Sequence, residues 1–192
     1  MKMTFATILT LFRILLVPVL VAIVYLPPHR WSHLAAALVF VVGALTDWAD
    51  GWIARRFNQF SAFGAFLDPV ADKLAVTVAL LLIVEMHPTH LMTVMAIVII
   101  GREIAISALR EWMAAVGEAR KVKVKWLGKM KTIVQMVAIS LLLYGDPLLG
   151  MPTLLVGEIL LGAAAALTLA SGYGYLRAAW PALQGGPPTQ DG

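Results

Sequence analysis

The chain has 192 residues, 60% of them hydrophobic and only 14% charged, with a formal net charge of +4 and no cysteine. Soluble domains average about 45–50% apolar and about 25% charged residues, and one core of this size leaves too much surface to hide so apolar a composition, which excludes an ordinary soluble domain in favour of an integral membrane protein. The lack of cysteine excludes disulfides, zinc–thiolate sites and thiol catalysis together.

Crossing the ~30 Å hydrocarbon core takes about 20 apolar residues in a helix, and six stretches qualify. The first runs from Phe5 to Leu26 and is stopped by Pro27-Pro28. The second covers Trp31 to Ile53, the third Phe66 to Met86 and the fourth His90 to Trp112. The fifth runs from Leu127 to Tyr144, ending at Gly145-Asp146-Pro147, and the sixth from Pro152 to Leu176. The fold class expected is all-α, a polytopic membrane protein with six transmembrane helices forming one domain over residues 1–183. The segment 184–192, with its Gly-Gly-Pro-Pro, is expected to be a disordered tail.

Basic residues set the orientation. With the N-terminus cytoplasmic, that side receives Lys2, Arg13, Arg55, Arg56, Lys73, Arg102, Arg110, the Arg120–Lys131 cluster and Arg177. The other side keeps only Arg30 of the 15 lysines and arginines, which by the positive-inside rule makes both termini cytoplasmic.

The chemistry concentrates between Thr46 and Lys73, where Asp47, Asp50, Asp68 and Asp72 all fall at the cytoplasmic ends of the second and third spans. Ionisable groups in membrane helices are costly and mark functional sites. Spacings of three and four put each pair on one helix face, and a short Gly-containing connection lets the antiparallel helices turn all four carboxylates towards one another. Carboxylates so placed repel strongly unless they are protonated or cations neutralise them. Four hard oxygen donors carrying −4 suit two divalent cations, Mg2+ or Mn2+, a pairing used for phosphoryl-type displacement. Gly51 and Gly64 leave room for a ligand to approach the backbone, and Arg55 is placed to pair with phosphate. A plainer reading makes the aspartates interfacial partners of Arg55, Arg56 and Lys73; the joint spacing argues against it.

The pattern Asp47-x-x-Asp50-Gly51-x-x-Ala54-Arg55, eight residues, Gly64-x-x-x-Asp68-x-x-x-Asp72 resembles the complete signature of the CDP-alcohol phosphatidyltransferases. The resemblance implies a six-helix membrane enzyme, usually a homodimer, with a two-metal site opening to the cytoplasm and CMP as leaving group. It implies that Asp47, Asp50, Asp68 and Asp72 bind metal, that Asp72 is also the catalytic base, and that Asp47, Asp50, Gly51, Ala54, Arg55 and Gly64 hold the CDP moiety. Longer segments, GAFLDPVADK at 64–73, GREIAISALREWMA at 101–114 and KWLGKMKTIVQMVA at 125–138, resemble bacterial members that transfer a phosphatidyl group from CDP-diacylglycerol to sn-glycerol-3-phosphate. That likeness implies a bacterial inner membrane, with membrane lipids as partners and no nucleic acid. One departure is that many members carry Pro-Asn ahead of the first span's Thr-x-x-Arg, where Ala6-Thr7 stands here before Thr10 and Arg13.

An anionic acceptor is also expected from the cations. Arg102 and Arg110, eight residues apart on the fourth span, with Lys129 and Lys131 on the fifth and Arg13 on the first, form a candidate phosphate-binding set. Part of this charge also follows from the ordinary basic character of cytoplasmic loops. Two rivals remain open at this level: the same chemistry with phosphatidylglycerol, inositol or serine as acceptor, and an ion-coupled transporter. The transporter reading lacks the internal repeat and midplane site such proteins use.

Overall fold

The computed structural model describes residues 5–26, 31–57, 62–118 and 126–185. The regular elements among these are six α-helices: α1 Phe5–Tyr25, α2 Ser32–Phe57, α3 Ala62–Met86, α4 His90–Ala115, α5 Trp126–Tyr144 and α6 Thr153–Gly185. Each expected span has its helix, but several helices outrun the apolar stretch. α2 continues past Ile53 to Phe57 and α3 begins at Ala62, so the aspartates lie within helices rather than at their tips. α6 also continues past Leu176, runs through Pro181 and takes in Gln184 and Gly185; Leu176, Arg177, Ala178, Ala179, Ala182 and Leu183 are good helix formers, and the first Gly-Gly pair comes only at 185–186. Residues 186–192 of the expected tail lie outside the described residues.

Local signals fix the ends of α4. Thr89 sits in an extended conformation, and its hydroxyl accepts from the Met92 amide, the usual N-cap bond. At the other end Gly117, at φ 79°, takes the left-handed position; its amide donates to Ala114 and that of Glu118 to Met113, a Schellman closure.

The helices pack in a closed ring. α1 lies on α2, α2 on α5, α5 on α6, α6 on α4, α4 on α3 and α3 back on α1, with α3 also touching α5 and α2 across the middle. The most extensive pair, α5 and α6, approaches closely at Gly157, where an added Cβ would lie 2.8 Å from Leu142 Cγ. Small residues give close approach where hydrophobic driving force between helices is absent. The ring interior is filled by Leu80, Ile83, Ile99, Ile139, Leu143 and Leu161, all fully buried.

The outside is as apolar as the inside. Leu15, Leu38, Leu81, Ile97, Ile133 and Ile159 stand exposed on five different helices and the sixth alike. In water these faces would be an aggregation surface; against acyl chains they are matched. Three helices, over Thr7–Tyr25, His90–Ala115 and Thr153–Gln184, are long and apolar enough to cross a membrane by themselves. Ser32–Asp47 and Met130–Tyr144 are shorter apolar stretches, and α3 is interrupted by Asp68, Asp72, Lys73 and Glu85.

Polar contacts separate to the two ends of this bundle. At one end Tyr25 bonds to Glu85, His33 approaches Asp146 at 3.5 Å, and the His87 ring lies 3.2 Å from the Leu142 carbonyl. At the other end lie the aspartates.

Candidate active site

The first helix organises the aspartates. Thr10 and Arg13 are three residues apart, hence on one face of α1, and both are buried, at 0% and 2% exposure. Thr10 Oγ1 donates to Asp68 Oδ1 of α3 at 2.5 Å, and Arg13 Nη1 donates to Asp47 Oδ1 of α2 at 2.5 Å. Burying a guanidinium is costly unless it is paired, so the Arg13 pairing ties α1 to α2 while Thr10 ties it to α3. These bonds engage Oδ1 of each carboxylate. The Thr-x-x-Arg of the first span is thus a clamp on the two acidic helices.

Asp72, one turn along α3 from Asp68, borders two cavities. The first is lined by Arg13, Asp47 and Asp72 at one end and continues between apolar walls that include Leu16, Leu20, Phe40 and Val76. The second is lined by Asp72, Lys73, Thr77, Glu103, Lys131 and Gln135 among others. Asp72, Val76 and Met136 belong to both walls. One carboxylate therefore separates an apolar slot with an acidic and cationic mouth from a small polar chamber.

Lys131 is 5% exposed and ion-paired to Glu103, which also accepts from Arg102 Nη1 at 3.2 Å. Arg102 itself is turned towards α6. Its Nε donates to the Thr168 carbonyl at 3.1 Å, its Nη2 to Ser171 Oγ at 2.6 Å, and its guanidinium carbon stands 5.6 Å from the centre of the Tyr175 ring. A cation over an aromatic face adds an electrostatic attraction to these bonds.

The predicted residues divide accordingly. Asp47, Asp72 and Arg13 meet at the first cavity, with Asp68 held beside them through Thr10. Lys131 lines the second cavity, whereas Arg102 is spent on α6 and on Glu103, and Arg110 is exposed two turns further along α4. Arg13 thus stands with the aspartates, apart from the other cations of its predicted set. Asp50, Gly51, Ala54 and Arg55 lie on the last turns of α2, but their side chains, like that of Lys129, fall outside the described residues. Gly64 is buried in the first turn of α3. Sequence reasoning missed the bridging part of Glu103 and the presence of Gln135 in the polar chamber. The signal for Gln135 was its i+4 spacing from Lys131, which puts the two on one face of α5.

The donor chemistry fits a hard divalent cation, since Asp47, Asp68 and Asp72 offer carboxylate oxygens and no soft ligand is near them in sequence. Among the described residues no three acidic or histidine side chains form a ready metal group by themselves; the fourth carboxylate, Asp50, is outside that set.

Known proteins place this arrangement in a family. The glycerol-3-phosphate phosphatidyltransferase of Shigella flexneri serotype 5b, named CDP-diacylglycerol–glycerol-3-phosphate 3-phosphatidyltransferase, is 50% identical over 179 residues, covering 93% of this chain and 96% of its own. The protein of the same name from Escherichia coli K12 is 50% identical over 182 residues with the same coverage, 93% and 96%. Residues 3–170, which include the clamp of α1, both acidic pairs, Glu103, Lys131 and Gln135, match the CDP-alcohol phosphatidyltransferase family, and the chain belongs to it.

Proposed function

We propose that the chain transfers the phosphatidyl group of CDP-diacylglycerol to sn-glycerol-3-phosphate, releasing CMP and forming phosphatidylglycerophosphate. The observation that carries this reading is the position of Asp72, shared by an apolar-walled slot suited to a lipid donor and a polar chamber suited to a small charged acceptor. The names and 50% identity of the relatives support the two substrates.

The diacylglycerol part of the donor lies along the slot between Leu16, Leu20 and Phe40, and its pyrophosphate sits at the mouth beside Arg13 and the aspartates. Asp47, Asp50, Gly51, Ala54, Arg55 and Gly64 hold the CDP portion. Asp47, Asp50, Asp68 and Asp72 would hold two divalent cations, Mg2+ or Mn2+, which would neutralise the pyrophosphate and the departing CMP. The acceptor phosphate pairs with Lys131 in the chamber, with Lys73 near it, while Arg102 acts through Glu103 and the second turn of cations, Arg110 and Lys129, draws the anion in. Asp72 takes the proton of the acceptor hydroxyl, whose oxygen attacks the diacylglycerol-bearing phosphorus as the bond from that phosphorus to the CMP oxygen breaks. The proton then passes from Asp72 to water.

The same reading sets residues 1–183 as one domain crossing the bacterial inner membrane six times, with the aspartates on the cytoplasmic side and two copies forming a homodimer. The test is transfer by purified protein in detergent, with CDP-diacylglycerol and labelled glycerol-3-phosphate, run with Mg2+, with Mn2+ and with chelator. Serine, inositol and phosphatidylglycerol serve as parallel acceptors. Label is expected in the lipid phase only with metal, and Asp72→Asn is expected to lower turnover roughly 10²- to 10⁴-fold, the usual contribution of a positioned base. CMP release with a different acceptor alone would overturn the choice of glycerol-3-phosphate.

A further inference from the structure

We infer that Gln135 is a specificity-determining residue that accepts a hydrogen bond from the second, non-reacting hydroxyl of a polyol-phosphate acceptor. This rests on the function proposed above and names a contact within the same site. Gln135 is 3% exposed, lies on the wall of the chamber bordered by Asp72 and Lys131, and its Oε1 has no hydrogen-bond partner among the described residues. A buried carbonyl left without a donor costs free energy comparable to a lost hydrogen bond, so its retention in this wall calls for a donor that arrives with the ligand.

Two neighbouring polar side chains of the wall, Thr132 and Glu103, are committed elsewhere. The Thr132 hydroxyl donates to the Gly128 carbonyl at 3.0 Å, and Glu103 accepts from both Lys131 and Arg102. Lys131 is a cation suited to a phosphate, and Asp72 a carboxylate suited to the hydroxyl that reacts. Glycerol-3-phosphate carries one group more than these two can serve, the secondary hydroxyl between its ends. Gln135 sits one turn from Lys131 on the same face of α5, and its Oε1 supplies the missing acceptor. A site built to bond a hydroxyl rejects the analogue without it more strongly than an apolar pocket rejects an added methylene, because the protein group is then left unpaired.

The test compares glycerol-3-phosphate with 3-hydroxypropyl phosphate, which lacks only the secondary hydroxyl, on wild type and on Gln135→Met, a side chain of similar length with no carbonyl. The analogue is assayed both as acceptor and as competitor of labelled glycerol-3-phosphate, so that its affinity is read even where its turnover is slow. Wild type is expected to favour glycerol-3-phosphate by roughly 10- to 100-fold in kcat/KM. Gln135→Met is expected to remove most of that preference, falling at least tenfold further with glycerol-3-phosphate than with the analogue. A wild type that uses or binds both equally overturns the assignment without any variant. An equal fall with both acceptors in Gln135→Met makes the residue merely structural and overturns it as well. Transfer to neither acceptor by wild type, with CMP released to another, overturns the proposed function and this assignment with it.

Discussion

Arg13 shows how a single residue can serve fold and site together. It is almost wholly buried in α1, yet its partner Asp47 is half exposed at the mouth of the apolar slot. Replacing Arg13 by Ala is expected to lower kcat/KM for CDP-diacylglycerol by roughly 10- to 100-fold, the worth of one or two charge-assisted bonds. Arg13→Lys restores the charge without the planar fork and is expected to recover only part of that loss; a steady-state series over donor concentration reads both. Lys131 makes the opposite case. The residue is 5% exposed and lines the polar chamber, so Lys131→Met is expected to raise the KM for glycerol-3-phosphate by roughly tenfold or more while changing the KM for the donor little. An equal rise in both would remove Lys131 from the acceptor side.

At the scale of elements, the fourth helix is held to the sixth by Arg102, through the Thr168 carbonyl, Ser171 and the Tyr175 ring. The close approach of α6 there is visible at Gly172, where an added Cβ would lie 3.4 Å from Arg102 Cγ and Nε. Lysine cannot make two divergent bonds and stack at once. Arg102→Lys is therefore expected to cost about 1–2 kcal/mol of stability, read as a lower midpoint of thermal unfolding in detergent, with a smaller rise in acceptor KM than Lys131→Met gives. The sequence made Arg102 conspicuous as a charge in an apolar run but could not say what it grips, because Thr168 and Ser171 lie 66 and 69 residues away. The aspartates were legible because their spacing is local: three and four residues on two consecutive helices state their own geometry. Gln135 was not, since a glutamine in an apolar helix gives no sign of whether its carbonyl is satisfied until the packing of α3, α4 and α5 around it is known.

For the whole molecule, hydropathy located all six helices but set two ends short beside the charged stretch, stopping the second at Ile53 where α2 runs to Phe57 and starting the third at Phe66 where α3 begins at Ala62. The expected third span already held Asp68, Asp72 and Lys73, and the chain keeps them helical because backbone bonds must be met internally near the bilayer. Orientation follows from the division of polar groups between the two ends of the ring. On the proposed function, a nucleotide-linked donor and a polyol phosphate carry too much charge to cross a bilayer unaided, and the aspartate end is expected to face the compartment that holds them. The natural absence of cysteine makes this directly measurable with single introduced thiols. Leu149, 98% exposed in the connection between α5 and α6, belongs to the end opposite the aspartates, and Arg56, exposed on the last turn of α2, to the same end as they do. In spheroplasts, a membrane-impermeant maleimide is expected to label Leu149→Cys at once and Arg56→Cys only after permeabilisation. The reverse order would turn the bundle over, place Asp72 on the outer face and leave the basic residues on the side the positive-inside rule forbids. Labelling of both from outside would mean that an even number of crossings separates the two positions, whereas the six-span arrangement puts three between them, α3, α4 and α5, and that arrangement would fail.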